Sequence, residues 1–228
     1  SGPVMQWGQW SLASMQRALH GAPEPILNSL KFASLATVLG VAFAVLVSYL
    51  TIKKRSASTQ VLDYIVVLPL TISGTVLGIA LVQTFNTGWL VLAGTSGIMV
   101  LCYTVRRLPF AVRNASSVLF NIPESIEEAS ISLGVSPLMT FFKVVLPAMK
   151  ASIISAAILM WLTTISELSA SIVAYSGGPE TMPIAIFRQV DGGRLGMASA
   201  YGAALVTVIV LPIIVSVKAF RIKLFSGK

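Results

Sequence analysis

The chain is 228 residues long, 55% hydrophobic and only 11% charged, with a mean hydropathy of +0.85. This is far too apolar for an ordinary soluble domain and places the chain among integral membrane proteins. Sixteen Lys and Arg against eight Asp and Glu give a net charge of +8, but the basic residues cluster at the ends of apolar runs, which speaks for membrane orientation and against nucleic-acid binding.

A spanning helix needs about 20 apolar residues, and five segments meet or approach that length: Leu30 to Ile52, Val61 to Phe85, Trp89 to Val105, Leu146 to Ala174 and Met197 to Val217. They predict an all-α, polytopic membrane bundle with its ends on opposite sides. Lys53, Lys54 and Arg55 follow the first segment; Arg106, Arg107 and Arg113 follow the third, with Lys143 and Lys150 closing that loop; Lys218, Arg221, Lys223 and Lys228 follow the fifth. All of these fall on one side, so the positive-inside rule puts the C-terminus in the cytoplasm and the N-terminus outside. The expected layout is an external segment 1–29, a membrane domain 30–220 with a cytoplasmic loop at about 106–147, and a cytoplasmic tail 221–228. The opening Ser-Gly-Pro has no initiator Met and no signal-like pattern, and reads as a chain cut from something longer.

Within the spans, Gly74 and Gly78 lie beside Thr71, Ser73 and Thr75, and Gly94, Thr95, Ser96 and Gly97 cluster in the third. Such residues serve close helix packing or line a pore, and the sequence leaves both open. Pro69 and Pro212 are expected to kink their spans. Cys102 alone can make neither an intramolecular disulfide nor a thiolate cluster. His20 has no neighbouring acid or second His and reads as a solvated loop residue. No catalytic or metal-ligating set is predicted.

The loop between the third and fourth segments is too long for a simple connection and carries its own order. Pro123 fits a first helical turn, and Glu124, Glu127 and Glu128 place negative charge near the positive end of a helix dipole. Ile122, Ile126, Ala129 and Leu133 form an apolar stripe at helical spacing. Gly134 supplies the left-handed residue that ends a helix. Ser136 and Pro137 then start a second helix as N-cap and first residue, and that helix runs through Phe141 and Phe142 into Leu146 and Pro147.

This stretch resembles the EAA loop of permease subunits of binding-protein-dependent ABC importers. Glu128, Ala129 and Ser130 stand for Glu-Ala-Ala, Gly134 follows after three residues, and Val144, Leu146 and Pro147 follow after nine more. Only Ser130 for Ala and Val144 for Ile depart from the pattern. The resemblance covers about Asn28 to Phe220 and implies the type I permease fold in the inner membrane of a bacterial cell. It further implies that Glu127, Glu128, Ala129, Ser130, Gly134, Ser136, Pro137, Leu146 and Pro147 form a coupling helix docking on an ABC ATPase dimer. ATP and Mg are then bound on that partner, and no cofactor is expected in this chain. An external substrate-binding protein and a second permease half, identical or fused, complete the implied assembly within membrane lipid. Family members usually have one more span before Leu30, which implies a truncated or half permease.

With Asp63 at the boundary of its segment, Glu167 is the one acid well inside a predicted span, and an intramembrane carboxylate is a functional candidate by default. Thr163, Ser166 and Ser171 share its small-polar face, predicting a substrate pathway or gate near the outer mouth, with a structural acid as the alternative. Residues 166–200 look like the ferric-iron branch of these permeases, with thiamine, polyamine and aminoethylphosphonate permeases as look-alikes. No P-loop, H-E-x-x-H or G-x-S-x-G motif is present, so the chain is not expected to be an enzyme. The competing reading is a secondary transporter or channel using Glu167 as an ion or proton site.

Overall fold

The computed structural model describes the backbone of residues 12–175 and 177–220, and side chains up to residue 214. Residues 1–11 of the expected external segment and the whole expected tail 221–228, with Arg221, Lys223 and Lys228, lie outside the described residues, as does the side chain of Lys218. Every regular element among the described residues is helical.

A short helical stretch, Ala13–Gln16 continuing as a π-turn over Arg17–Gly21, leads into α1, Glu24–Lys53. Pro25 opens α1, where its missing N–H costs nothing. Ala33, Ala36, Gly40 and Ala44, three or four residues apart, make one buried face, while Leu35, Val38, Leu39, Phe43 and Leu46 are exposed. A helix that shows large apolar side chains outward is at home in lipid.

The expected single span from Val61 to Phe85 is two helices, α2 over Ala57–Thr71 and α3 over Gly74–Thr84, bent by 114°. Pro69, which cannot donate to the i−4 carbonyl, weakens the last turn of α2 just before the break. The third span does not run from Trp89 to Val105. Residues 86–95 are non-helical, Gly94 takes φ +76°, and the Thr95 side chain caps α4, Ser96–Phe120, by accepting from the Gly97 N–H at 3.1 Å. Gly94, Thr95, Ser96 and Gly97 thus form a helix start, and α4 continues through Arg106, Arg107 and Pro109. The loop expected from residue 106 therefore begins only after Phe120.

Next come α5, Glu124–Ser132, and α6, Pro137–Ala148, which meets α7, Lys150–Ile165, at a 68° bend. The expected fourth span to Ala174 stops at Ile165, and a short helix α8, Ser171–Ala174, follows an irregular stretch. The chain ends in α9, Met182–Asp191, and α10, Leu195–Phe220. By length and composition α1 and Leu195–Ile214 can each cross a membrane, and the pairs α2/α3 and α6/α7 each qualify as a broken span. The Arg-bearing α4 is not among them, yet its 25 residues reach about 37 Å at ~1.5 Å each, enough for a ~30 Å hydrocarbon core.

Side-chain contacts fix the directions. Ser48 donates to the Val112 carbonyl at 3.0 Å, and at the opposite end Phe32 and Ala36 pack on Ile98, Met99 and Tyr103, so α1 and α4 run parallel. Ser152 donates to Asn114 at 2.9 Å and Trp161 to Ser34 at 3.1 Å, setting α7 antiparallel to both. The Tyr201 hydroxyl donates to the Ala22 carbonyl at 2.9 Å, which aligns α10 with α1.

The segment after α7 folds back onto α3 through a glycine. A Cβ on Gly78 would lie 2.7 Å from the Ala170 carbonyl oxygen, a backbone atom that cannot swing aside. Gly78→Ala is therefore expected to cost about 1–3 kcal/mol, read as a lower melting temperature of the detergent-purified chain. Gly202→Ala, with nothing within 4 Å of its Cβ position, is the matched control; equal melting temperatures for the two variants would contradict the close approach.

Candidate functional site

Glu167 lies just beyond the end of α7, and its side chain is only 3% exposed. Burial of an unpaired carboxylate is prohibitive, and the partners here are two consecutive residues of α4. Arg106 Nε donates to Glu167 Oε2 at 3.1 Å, and Arg107 Nη2 donates to the same oxygen. Glu167 Oε1 accepts from the Ala170 N–H at 3.4 Å, and Ser171 donates to the Glu167 carbonyl at 2.6 Å. Of the four residues expected to form a polar face, Glu167 and Ser171 are buried together, while Thr163 and Ser166 are exposed.

Arg106 and Arg107 were expected on the cytoplasmic side. They are instead the eleventh and twelfth residues of the 25 in α4, about 15 Å from its start and so well inside the helix, not at its end. Glu167 correspondingly meets α4 near the middle of that helix. The α2/α3 break reaches the same level, because a Cβ on Gly74 would lie 2.7 Å from the Arg106 guanidinium carbon and 2.9 Å from Ser169 Cβ. Two interrupted helices and an arginine pair thus converge at one depth. Irregular backbone at that depth is tolerated only inside protein or along a water-filled cavity.

Around the cluster the side chains of Ser73, Thr75, Ser166 and Ser169 are exposed, and Ser73 and Thr75 bond each other at 2.9 Å. Towards the elbow of α5 and α6, Thr163, Phe110, Asn114 and Met160 line a cavity of about 310 Å³ between α4 and α7. Phe110 lies 6.0 Å from the Arg107 guanidinium and covers its apolar flank.

At the far end of α4 the helix–turn–helix forms as its residues require. Gly134 takes φ +83°, and its N–H donates to the Ile131 carbonyl at 2.9 Å while Val135 N–H reaches Ser130 at 3.2 Å, closing α5. Ser136 caps α6 through the Met139 N–H at 3.4 Å, Pro137 follows at the first position, and Ser130 and Thr140 hydroxyls lie 2.9 Å apart across the elbow. Leu146 is half-buried and Pro147 exposed where α6 turns into α7. The stripe beginning at Ile122 does not face a core: Ile126, Ala129 and Leu133 are exposed together with Glu128, and Leu133 reaches 85%.

The elbow is fastened to the bundle from the other side. Lys53, the last residue of α1, donates to the Ile122 carbonyl at 2.8 Å and pairs with Glu127 at 3.2 Å. The Tyr49 hydroxyl donates to Glu127 at 3.2 Å, and the Tyr49 ring meets Phe141 edge-on at 4.7 Å. Beneath them Ala115, Leu119, Val145 and Met149 form a core shared by α4, α6 and the junction into α7. Sequence reading did not find Lys53, Tyr49, Arg106 or Arg107 as site residues. The one available signal was the lone buried-span acid, which requires a cation somewhere in the chain.

Residues 32–222 match the family model described as the binding-protein-dependent transport system inner membrane component. The molybdate/tungstate transport system permease protein of Pyrococcus furiosus is 33% identical over 87% of this chain and 79% of its own. A putative 2-aminoethylphosphonate transport system permease protein of Salmonella choleraesuis is 30% identical over 96% and 82%. The ferric transport system permease protein of Actinobacillus pleuropneumoniae is 28% identical over 82% of this chain, which spans only 27% of that relative's length. Among solved structures, the inward-facing MetNI methionine ABC transporter superposes with a TM-score of 0.71 at 21% identity, covering 93% of this chain and 98% of its own. On the extent of the family match, the chain belongs to the inner-membrane permeases of binding-protein-dependent transport systems.

Proposed function

We propose that this chain forms one half of the translocation pathway of an ATP-driven importer, moving a small solute handed over by an external binding protein. A second permease half faces it, and an ABC ATPase dimer, which holds ATP and Mg, docks on the elbow of α5 and α6. The observation that carries this reading is the elbow itself: Ile126, Ile131, Leu133, Leu138 and Met139 stand exposed on a capped helix pair tied to three membrane helices. Exposed apolar side chains on such a knob need a partner. Ferric iron is the solute supported by resemblance to ferric permeases, whereas the two relatives aligned over most of their own length are named for molybdate or tungstate and for 2-aminoethylphosphonate. A proton- or cation-coupled carrier using Glu167 has less support, because that carboxylate is engaged by two arginines.

Movement of the elbow would reach the pathway by two routes, through α6 into α7 and through Lys53 into α1. Gly134→Val forces a β-branched residue into a left-handed turn at about 1–3 kcal/mol, with no atom within 4 Å to clash. It is expected to uncouple the complete transporter reconstituted in vesicles, leaving ATP hydrolysis but cutting solute uptake about tenfold. Wild-type uptake and binding-protein-stimulated hydrolysis in that variant would overturn the coupling role.

Lys53→Met strips Glu127 of its cation, whereas Lys53→Arg keeps a charge there. The first is expected to lower uptake per ATP hydrolysed and the second to restore most of it, measured side by side in the same vesicles. An unchanged ratio in Lys53→Met would show that α1 takes no part in transmission.

A further inference from the structure

The cluster of Arg106, Arg107 and Glu167 holds two guanidiniums and one carboxylate, so it carries one uncompensated positive charge. We propose that this cluster selects the solute by charge and that the solute passes as a small oxyanion, either an inorganic one such as molybdate or phosphate or an organic phosphonate. The selection rests on the permease reading above and names the class of solute its pathway accepts.

The bonding of the arginines supports this. Among the described residues, the side-chain hydrogen bonds of Arg106 and Arg107 converge on the single oxygen Glu167 Oε2, although each guanidinium carries five donors. Arg107 Nε is buried with no acceptor at all. Planar guanidinium forks are suited to tetrahedral and carboxylate oxyanions, which accept two donors side by side.

Among the described residues no acid other than Glu167 pairs with either arginine. Asp63 pairs with Arg113 at 3.4 Å, Glu127 with Lys53 at 3.2 Å and Glu180 with Arg188 at 3.1 Å. Beside the cluster stand instead the exposed hydroxyls of Ser169 and of the Ser73–Thr75 pair, which bond each other and leave one hydroxyl hydrogen between them for an oxyanion. A passing anion would find surplus donors and a net attractive charge. A bare metal cation would find both guanidiniums repelling it and the one carboxylate already bridged. An unbalanced charge at this depth is costly and persists where a pathway uses it.

The test is uptake by the complete transporter, with its ATPase and binding protein, in lipid vesicles. Radiolabelled molybdate, phosphate, 2-aminoethylphosphonate and ferric ion are offered to wild type, Arg107→Gln and Arg107→Lys. Uptake of at least one oxyanion is expected, reduced about tenfold or more by Arg107→Gln and held within about threefold by Arg107→Lys, which retains the charge but loses the fork. Molybdate or phosphate uptake would identify the inorganic source, and 2-aminoethylphosphonate uptake the organic one. Uptake of none of the three oxyanions, or an Arg107→Gln rate within about twofold of wild type, overturns the proposal. Arg107→Gln leaves a neutral Arg106–Glu167 pair; should it fail to assemble, Arg106→Gln leaves the equivalent Arg107–Glu167 pair and is read against the same outcomes. If the loaded binding protein does not stimulate ATP hydrolysis in wild type, the permease reading itself fails, whereas stimulation without oxyanion uptake sinks only the charge selection.

Discussion

A carboxylate buried inside a helical bundle must find a cation, and the need of Glu167 for Arg106 and Arg107 sets much of what surrounds it. Arg106 and Arg107 are neighbours on α4, so the segment carrying Glu167 has to approach that helix at one level. A continuous α7 would carry its chain past that level. Instead α7 ends at Ile165, and the following residues turn inward, where Ser171 and the Ala170 N–H hold Glu167 in place. The glycines of α3 answer the same demand: Gly74 leaves room for the Arg106 guanidinium and Gly78 for the Ala170 carbonyl. Of pore lining and close packing, the alternatives these glycines leave open in the sequence, the structure shows close packing, and it is against the charged cluster.

The same helices extend to the elbow of α5 and α6, so cluster and elbow are joined by shared helices. α4 carries Arg106 and Arg107 at its middle and Ala115 and Leu119 in the core beneath the elbow. α7 begins beside Met149 in that core and ends beside Glu167. A displacement of the elbow relative to α4 would slide one partner of the ion pair past the other. Packed helices with two discrete arrangements are the physical carriers such coupling needs, and the bridge of Glu167 to two arginines gives this pair a defined contact to lose or exchange.

The elbow was legible in the sequence because its determinants are local: Gly134 at a left-handed turn, Ser136 as N-cap and Pro137 behind it act within a few residues. The membrane helices were legible as apolar runs but not in their ends. Trp89 to Ala93 read as span because loop and span are equally apolar there, although Gly94 and Thr95 mark a helix start. Arg106 and Arg107 looked like an interfacial end since positive charge after an apolar run usually is one. Their partner is sixty residues away in the chain, beyond any local pattern. Yet Ala111, Val112, Ala115 and Leu119 continue at helical spacing past Pro109, and that periodicity shows α4 running on to Phe120. The α7 end has no local mark of this kind: Thr163 and Ser166 donate back to their own helix as in any span, and the contacts that hold the turn, Glu167 with Arg106 and Arg107, are tertiary.

The claim on which the rest depends is that Glu167 is held jointly with Arg107 in the folded chain. A double-mutant cycle on thermal unfolding of the detergent-purified protein addresses it directly, using Glu167→Gln, Arg107→Gln and the two together. Glu167→Gln alone leaves two adjacent cations uncompensated and is expected to be the least stable of the three, while the double variant recovers about 1–3 kcal/mol relative to the sum of the single effects. Additivity to within about 0.5 kcal/mol would contradict the bridge.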